Sequence, residues 1–135
     1  MQDVLVVDDE LDVRDSIERV LERSGYSVRK TGDAADALAE LRRRGADVVI
    51  TDIIMPKIDG VETIRSIRKE FPSVRIIAIS GGGNFGISAY RPTAITTSAY
   101  LAAAERAGAH VVLTKPFESK DLLQAVEQVL GVSHA

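Results

Sequence analysis

Short apolar runs alternate with amphipathic stretches along nearly the whole chain, and this alternation limits the fold more than any other feature. The runs are mostly rich in β-branched residues, which is typical of strands buried on both faces of a sheet. They lie at Val4–Val7, Ser27–Arg29, Asp47–Thr51, Arg75–Ile79 and His110–Leu113. A helix or helix-like stretch follows each run, and the first of these places Val13, Ile17 and Leu21 at helical spacing. This order predicts an α/β fold, a doubly wound five-stranded parallel sheet between two layers of helices.

Local signals mark the ends of several predicted helices. Gly25 occupies the position after a helix that favours glycine, and Asp33 can cap the next helix, which ends at Gly45. After Ser80 the alternation of strand and helix patterns becomes irregular, because Gly81–Gly86 is rich in turn-forming residues. An alanine-rich stretch follows, and the sequence does not fix where its helix begins.

The composition indicates one ordinary globular domain. The 135 residues carry a formal net charge of −3, with 45% hydrophobic and 27% charged residues. The absence of cysteine excludes thiol chemistry, and two histidines are too few for a typical zinc hydrolase centre. No apolar run approaches the ~18 residues of a membrane span, and mild acidity is untypical of nucleic-acid binding. We expect a cytoplasmic domain over residues 1–131 with a short tail at 132–135, in contact with neither membrane nor nucleic acid.

Polar side chains follow four of the predicted strands at their carboxyl ends, where open α/β sheets bind ligands. Asp8 and Asp9 follow the first strand, Asp52 the third, Ser80 the fourth and Lys115 the fifth. Two carboxylates ~4 Å apart repel by about 4 kcal/mol at an effective dielectric near 20, so the cluster favours a cation. Mg²⁺ suits such oxygen ligands, and Lys115 adds a second positive charge for phosphoryl oxygens. The edge is therefore predicted to bind a phosphoryl group beside Mg²⁺, with Asp52 as a candidate nucleophile.

Five segments resemble, in the same order, the motifs of the receiver domain of two-component response regulators. They are Val7–Glu10, Asp52–Pro56, Asp59–Gly60, Ala78–Gly81 and Leu113–Phe117. The likeness runs from about Asp3 to Leu130, nearly the whole chain. It implies the flavodoxin-like (βα)5 arrangement and a phosphorylation-controlled signalling module of a phosphorelay, rather than a metabolic enzyme.

The resemblance also implies a role for each acid. Asp52 is the expected phosphoryl acceptor, and a sensor histidine kinase or a histidine phosphotransfer protein is the expected donor. Asp9 and Asp52 are expected to bind Mg²⁺ directly, and Asp8 through a water molecule. The backbone carbonyl of Ile54 is the expected third protein ligand.

Two further residues are expected to contact the phosphoryl group. By the same resemblance, Lys115 pairs with it, and Ser80 donates a hydrogen bond that moves the loop after the fourth strand. A downstream protein is then expected to bind the face formed by the fourth helix, the fifth strand and the fifth helix.

The chain departs from the receiver pattern in two places. Val112 stands where the family usually has an aromatic switch residue, three positions before Lys115. Lys115 lies 35 positions after Ser80, a longer separation than the family pattern needs. A connection of that length is functional or mobile more often than an ordinary loop. The residues from Gly81 to Ser98 fall where the signalling face of the family begins.

Two alternatives remain open from the sequence. The first is a receiver-like scaffold that is never phosphorylated, which the departures at Val112 and after Ser80 favour. The second is a Mg²⁺-dependent aspartyl phosphohydrolase of the haloacid-dehalogenase type. Those enzymes place two aspartates two positions apart after the first strand, whereas Asp8 and Asp9 are adjacent. The chain shows no output domain, so it either docks to a partner or belongs to a longer regulator.

Overall fold

A single parallel sheet forms the centre of the molecule. The computed structural model describes residues 2–52, 60–80, 102–114 and 117–131. The strands are β1 (Asp3–Val7), β2 (Ser27–Thr31), β3 (Val48–Asp52), β4 (Arg75–Ser80) and β5 (Val111–Thr114). All pair in parallel in the order β2-β1-β3-β4-β5, which confirms the doubly wound, flavodoxin-like prediction.

Helices cover both faces of this sheet and produce the three layers that were predicted. They are α1 (Leu11–Arg23), α2 (Ala34–Arg43), α3 (Gly60–Glu70), α4 (helical over 102–107) and α5 (Ser119–Leu130). One core lies between the sheet and the pair α1 and α5, and the other between the sheet and α2, α3 and α4. The central strands β1 and β3 are buried almost throughout, as the apolar residues Val4–Val7 and Val48–Ile50 within them require.

Two predicted helix signals are confirmed. Gly25 follows Ser24, the residue that caps the carboxyl end of α1, and has a φ of 93°, a left-handed conformation that glycine adopts without strain. The side chain of Asp33 accepts a hydrogen bond from the backbone N–H of Asp36 at 2.8 Å, which caps α2.

The connection from α4 to β5 depends on a glycine. Gly108 has a φ of 129°, and its N–H donates to the carbonyl of Ala104 at 3.2 Å. A Cβ atom at this position would overlap Cγ of Arg68 and lie 2.7 Å from its Cδ. The turn therefore requires both the backbone freedom of glycine and its lack of a side chain.

The edge strand β2 is bordered by ion pairs to the helices on either side of the sheet. Lys30 Nζ lies 2.8 Å from Asp15 Oδ1 and 2.9 Å from Glu18 Oε1, both on α1. Hydrogen bonds to these two carboxylates raise the pKa of Lys30. Arg29 Nη1 lies 2.8 Å from Glu40 Oε1 on α2.

Several predictions concern residues outside the described ranges. These are the ligand carbonyl of Ile54, the Gly81–Ser98 segment, Lys115 and the tail at 132–135. The domain boundaries also remain predictions. Among the helices that the structure describes, none is long and apolar enough to cross a membrane.

Candidate functional site

Two aspartates lie buried at the carboxyl ends of neighbouring strands. Asp8 follows β1 and is 1% exposed, and Asp52 is the last residue of β3 and is 3% exposed. The backbone N–H of Asp8 donates to the carbonyl of Thr31 at 3.2 Å, so Asp8 continues the pairing of β1 with β2. Asp52 pairs in register with Ile79 of β4. Strand pairing thus holds the backbones of Asp8 and Asp52 in place at the carboxyl ends of β1 and β3.

Strand alternation explains why these two side chains meet. Val6 of β1 and Ile50 of β3 belong to the core beneath α1 and α5. Asp8 and Asp52 each follow one of them by two residues, so period-two alternation directs both towards the same face. Asp9, one position later, is exposed.

The chain then turns so that a third carboxylate joins the pair. Asp8 Oδ1 accepts a hydrogen bond from the backbone N–H of Glu10 at 2.8 Å. Oxygens of Asp8, Glu10 and Asp52 all lie within 4.8 Å of one another. Glu10 is the residue that precedes α1, but its side chain makes no capping hydrogen bond there.

The acid cluster differs in one member from the sequence prediction. Asp8 and Asp52 are brought together as expected, whereas Asp9 lies outside the cluster and Glu10 lies inside it. In the sequence, Glu10 stands only at the end of the Val7–Glu10 motif, with no ligand role predicted for it. The turn that the Asp8 carboxylate makes with the Glu10 N–H places Glu10 beside Asp52, and residue spacing alone does not predict that turn.

The donor set fits a hard divalent cation. Like charges at these separations in a buried position are unfavourable unless a positive charge compensates them. Carboxylate oxygens with access to water are the ligands that Mg²⁺ prefers, and Glu10 is only partly buried, which leaves access on that side. Asp8, Glu10 and Asp52 can therefore hold such an ion.

Ser80 lies at the same edge of the sheet, at the end of β4. It is fully buried and pairs in register with Thr114 of β5. Its Oγ has no hydrogen-bond partner within the described residues, so a buried hydroxyl donor is available there. Lys115 follows Thr114 directly in sequence but lies outside the described residues.

Comparison with known proteins identifies the family. The family model for the response regulator receiver domain matches residues 4–127. The chain belongs to this family. Receiver domains are regulatory domains, and the membership favours regulation over the phosphohydrolase alternative. The chain is thus a receiver domain of a two-component response regulator.

Individual relatives support the same assignment. The chain is 35% identical over 130 residues to the nitrogen assimilation regulatory protein NtrX of Azorhizobium caulinodans, covering 95% of this chain and 26% of that protein. It is 31% identical to the response regulator receiver protein CpdR of Brucella abortus, covering 96% of this chain and 98% of that protein. The crystal structure of the receiver domain of NtrX from Brucella abortus has a TM-score of 0.80 at 32% identity, covering 96% and 99% of the two chains. The chain thus spans about a quarter of NtrX from Azorhizobium caulinodans but nearly the whole length of CpdR.

Proposed function

We propose that this receiver domain is a phosphorylation-controlled module of a two-component phosphorelay, with Asp52 as the phosphoryl acceptor. The observation that carries the proposal is the burial of Asp52 within 4.8 Å of two other carboxylates, at the ligand-binding edge of the sheet. The donor is a phosphohistidine on a sensor histidine kinase or a histidine phosphotransfer protein. A carboxylate oxygen of Asp52 attacks phosphorus, the P–N bond breaks, and the imidazole nitrogen leaves with the electron pair.

Acids at the edge would hold the Mg²⁺ ion that this reaction needs. Following the family pattern, Asp9 and Asp52 bind it directly and Asp8 binds through water, with the carbonyl of Ile54 as a further ligand. The position of Glu10 in the cluster adds it as a candidate ligand. When bound, Mg²⁺ supplies positive charge against the phosphoryl oxygens and lowers the repulsion that opposes attack by Asp52.

The response to phosphorylation would begin at Ser80 and Lys115. The buried Ser80 hydroxyl donates to a phosphoryl oxygen, and the Lys115 ammonium pairs with another. The face formed by α4, β5 and α5 then changes its affinity for a downstream protein. Val112 is only partly buried and carries no ring, so the output does not use the aromatic swing of the family. The domain acts in the cytoplasm through protein partners, and its net charge of −3 supports independence from nucleic acid.

Intact mass after incubation with acetyl phosphate or phosphoramidate tests the acceptor. We expect a gain of one phosphoryl group with Mg²⁺, none with EDTA, and none in Asp52→Ala. Asp36→Asn is the matched control, because Asp36 is an exposed aspartate in the first turn of α2. A gain that survives in Asp52→Ala would place the acceptor elsewhere.

The scaffold alternative makes the opposite prediction for the same experiment. If a purified phosphohistidine donor that labels another receiver domain adds no phosphoryl group to this chain, the proposal is wrong. The chain is then a receiver-like scaffold that is not phosphorylated. The presence of Val112 at the switch position is the observation that favours this second candidate.

Self-dephosphorylation is expected to be slow. Ile54, two positions after the acceptor, offers no polar group to orient an attacking water molecule. Replacing it with a residue that can hydrogen-bond water, as in Ile54→Asn, should shorten the lifetime of the acyl phosphate, measured by mass after removal of the donor. A wild-type lifetime of only seconds, made longer by the substitution, would contradict this expectation.

A further inference from the structure

A histidine side chain completes the pairing of β4 with the start of β5. The backbone N–H of His110, immediately before β5, donates to the carbonyl of Ile76 at 2.8 Å. In return, the backbone N–H of Ile76 donates to Nδ1 of the same histidine at 3.1 Å. The ring nitrogen therefore accepts a strand N–H where a backbone carbonyl would otherwise be needed.

This arrangement requires a neutral imidazole with its proton on Nε2. Nδ1 accepts a hydrogen bond only through its lone pair, and both ring nitrogens of the imidazolium ion are donors. Protonation therefore sets an N–H of the ring against the N–H of Ile76. The hydrogen bond is lost, and two donors face each other.

Fixed positive charges lie close to the ring. Among the described residues, the charged groups that act on it are Arg68 of α3 and Arg75 of β4. Arg68 Nη1 donates to the carbonyl of Pro72 at 2.8 Å, and Arg75 Nε donates to that of Val129 at 3.2 Å, which holds both guanidinium groups in place. His110 is exposed as a residue, yet its pKa lies below its usual value, first through partial loss of hydration at the ring and then through these two arginines, against a smaller opposing contribution from the backbone of Ile76.

We propose that His110 is a pH-sensitive clip that holds the start of β5 against β4 while it is neutral and releases it when it is protonated. The sign follows from the lowered pKa. The stabilisation is fully present above the ordinary histidine pKa of about 6.5 and is lost as the pH falls below it. Because β5 has only four residues and ends opposite Ser80, release at its start loosens one border of the proposed output face.

The tautomer of His110 in the wild-type domain is the first test, by ¹⁵N NMR of the ring at pH 7.5. We expect a proton on Nε2 and an unprotonated Nδ1. A proton on Nδ1 at this pH would overturn the proposal, because that nitrogen could not accept from Ile76. The measurement needs no variant and therefore does not depend on how a substitution folds.

Amide hydrogen exchange of Ile76 between pH 7.5 and 5.0 tests the release. We expect its protection factor to fall roughly tenfold in the wild type, the effect of losing one hydrogen bond. His110→Asn places a non-titrating amide oxygen near the position of Nδ1, so its protection factor should stay constant. His134→Gln removes the other histidine and should respond like the wild type. An equal fall in His110→Asn, or no fall in the wild type, would refute the clip.

Discussion

Asp8→Asn is expected to raise the free energy of unfolding in EDTA by about 1–2 kcal/mol and to weaken Mg²⁺ binding at least about tenfold. Asp8 is 1% exposed, and its carboxylate lies within 4.8 Å of those of Glu10 and Asp52. Each pair of charges at about 4–5 Å contributes about 3–4 kcal/mol of repulsion at an effective dielectric near 20, part of which surrounding groups offset. Asparagine has the same shape and can still accept from the Glu10 N–H. The substitution therefore removes charge while the turn is preserved.

Urea unfolding in EDTA and in 10 mM Mg²⁺ measures both quantities, because an ion that binds only the folded state adds stability in proportion to its affinity. Asp36→Asn again serves as the control: it should leave Mg²⁺ binding unchanged and should lower the stability by no more than the ~0.3–1 kcal/mol that an acid in the first turn of a helix contributes. A loss of stability in EDTA for Asp8→Asn would show that its carboxylate is net stabilising, and would contradict the expected repulsion.

The same assay distinguishes Asp9 from Glu10 as the Mg²⁺ ligand. Asp9→Asn should leave the stability in EDTA nearly unchanged, because an exposed carboxylate is well hydrated. If the family pattern holds, it should nevertheless remove most of the stabilisation by Mg²⁺. If Glu10→Gln removes that stabilisation instead, the metal-free cluster already contains the ligands that bind the ion.

Gly108→Ala is expected to lower the free energy of unfolding by about 2 kcal/mol and the midpoint of thermal unfolding by roughly 6 °C. Two penalties add at this position. A φ of 129° is unfavourable for a residue with a Cβ atom, and that atom would overlap the Arg68 side chain. Thermal unfolding followed by circular dichroism measures the change.

Gly45→Ala separates the two penalties. Gly45 has a φ of 78°, and beyond its chain neighbours no atom would lie within 4 Å of a Cβ at this position, so this substitution carries backbone strain alone and should cost about 1 kcal/mol. The part of the cost that comes from overlap with Arg68 should disappear when Gly108→Ala is made in a protein that already carries Arg68→Ala. The stability of this double variant is compared with that of Arg68→Ala alone. If Gly108→Ala costs no more than Gly45→Ala, the contact with Arg68 contributes nothing.

The fold was predictable because its signals are local and agree with one another. Val4–Val7 and the apolar part of the third run, Val48–Ile50, are too uniformly apolar for a half-exposed strand, and both lie in the buried centre of the sheet. Strand ends were less predictable. Asp52 belongs to β3 although the predicted strand ended at Thr51, because ladder pairing with Ile79 continues for as long as the neighbouring strand does.

The site was predictable as far as residue type and strand end determine it. Asp8 and Asp52 meet because each continues the side-chain alternation of its strand towards the face beneath α1 and α5. The choice between Asp9 and Glu10 was not predictable from motif spacing, since it depends on the turn held by the Asp8 carboxylate and the Glu10 N–H. The hydrogen bond from Ile76 to His110 also had no sequence signal, because it joins residues 34 positions apart.

The ion pairs of β2 also bear on how copies of this domain behave at high concentration. An open sheet has two unpaired borders, and each can recruit a strand from another molecule. At the β2 border, an incoming chain would have to approach Arg29 and Lys30, whose charges are already matched to carboxylates on α2 and α1. Growth of a continuous intermolecular sheet from this side is therefore disfavoured, and the domain can stay dispersed without a further segment to cover that border.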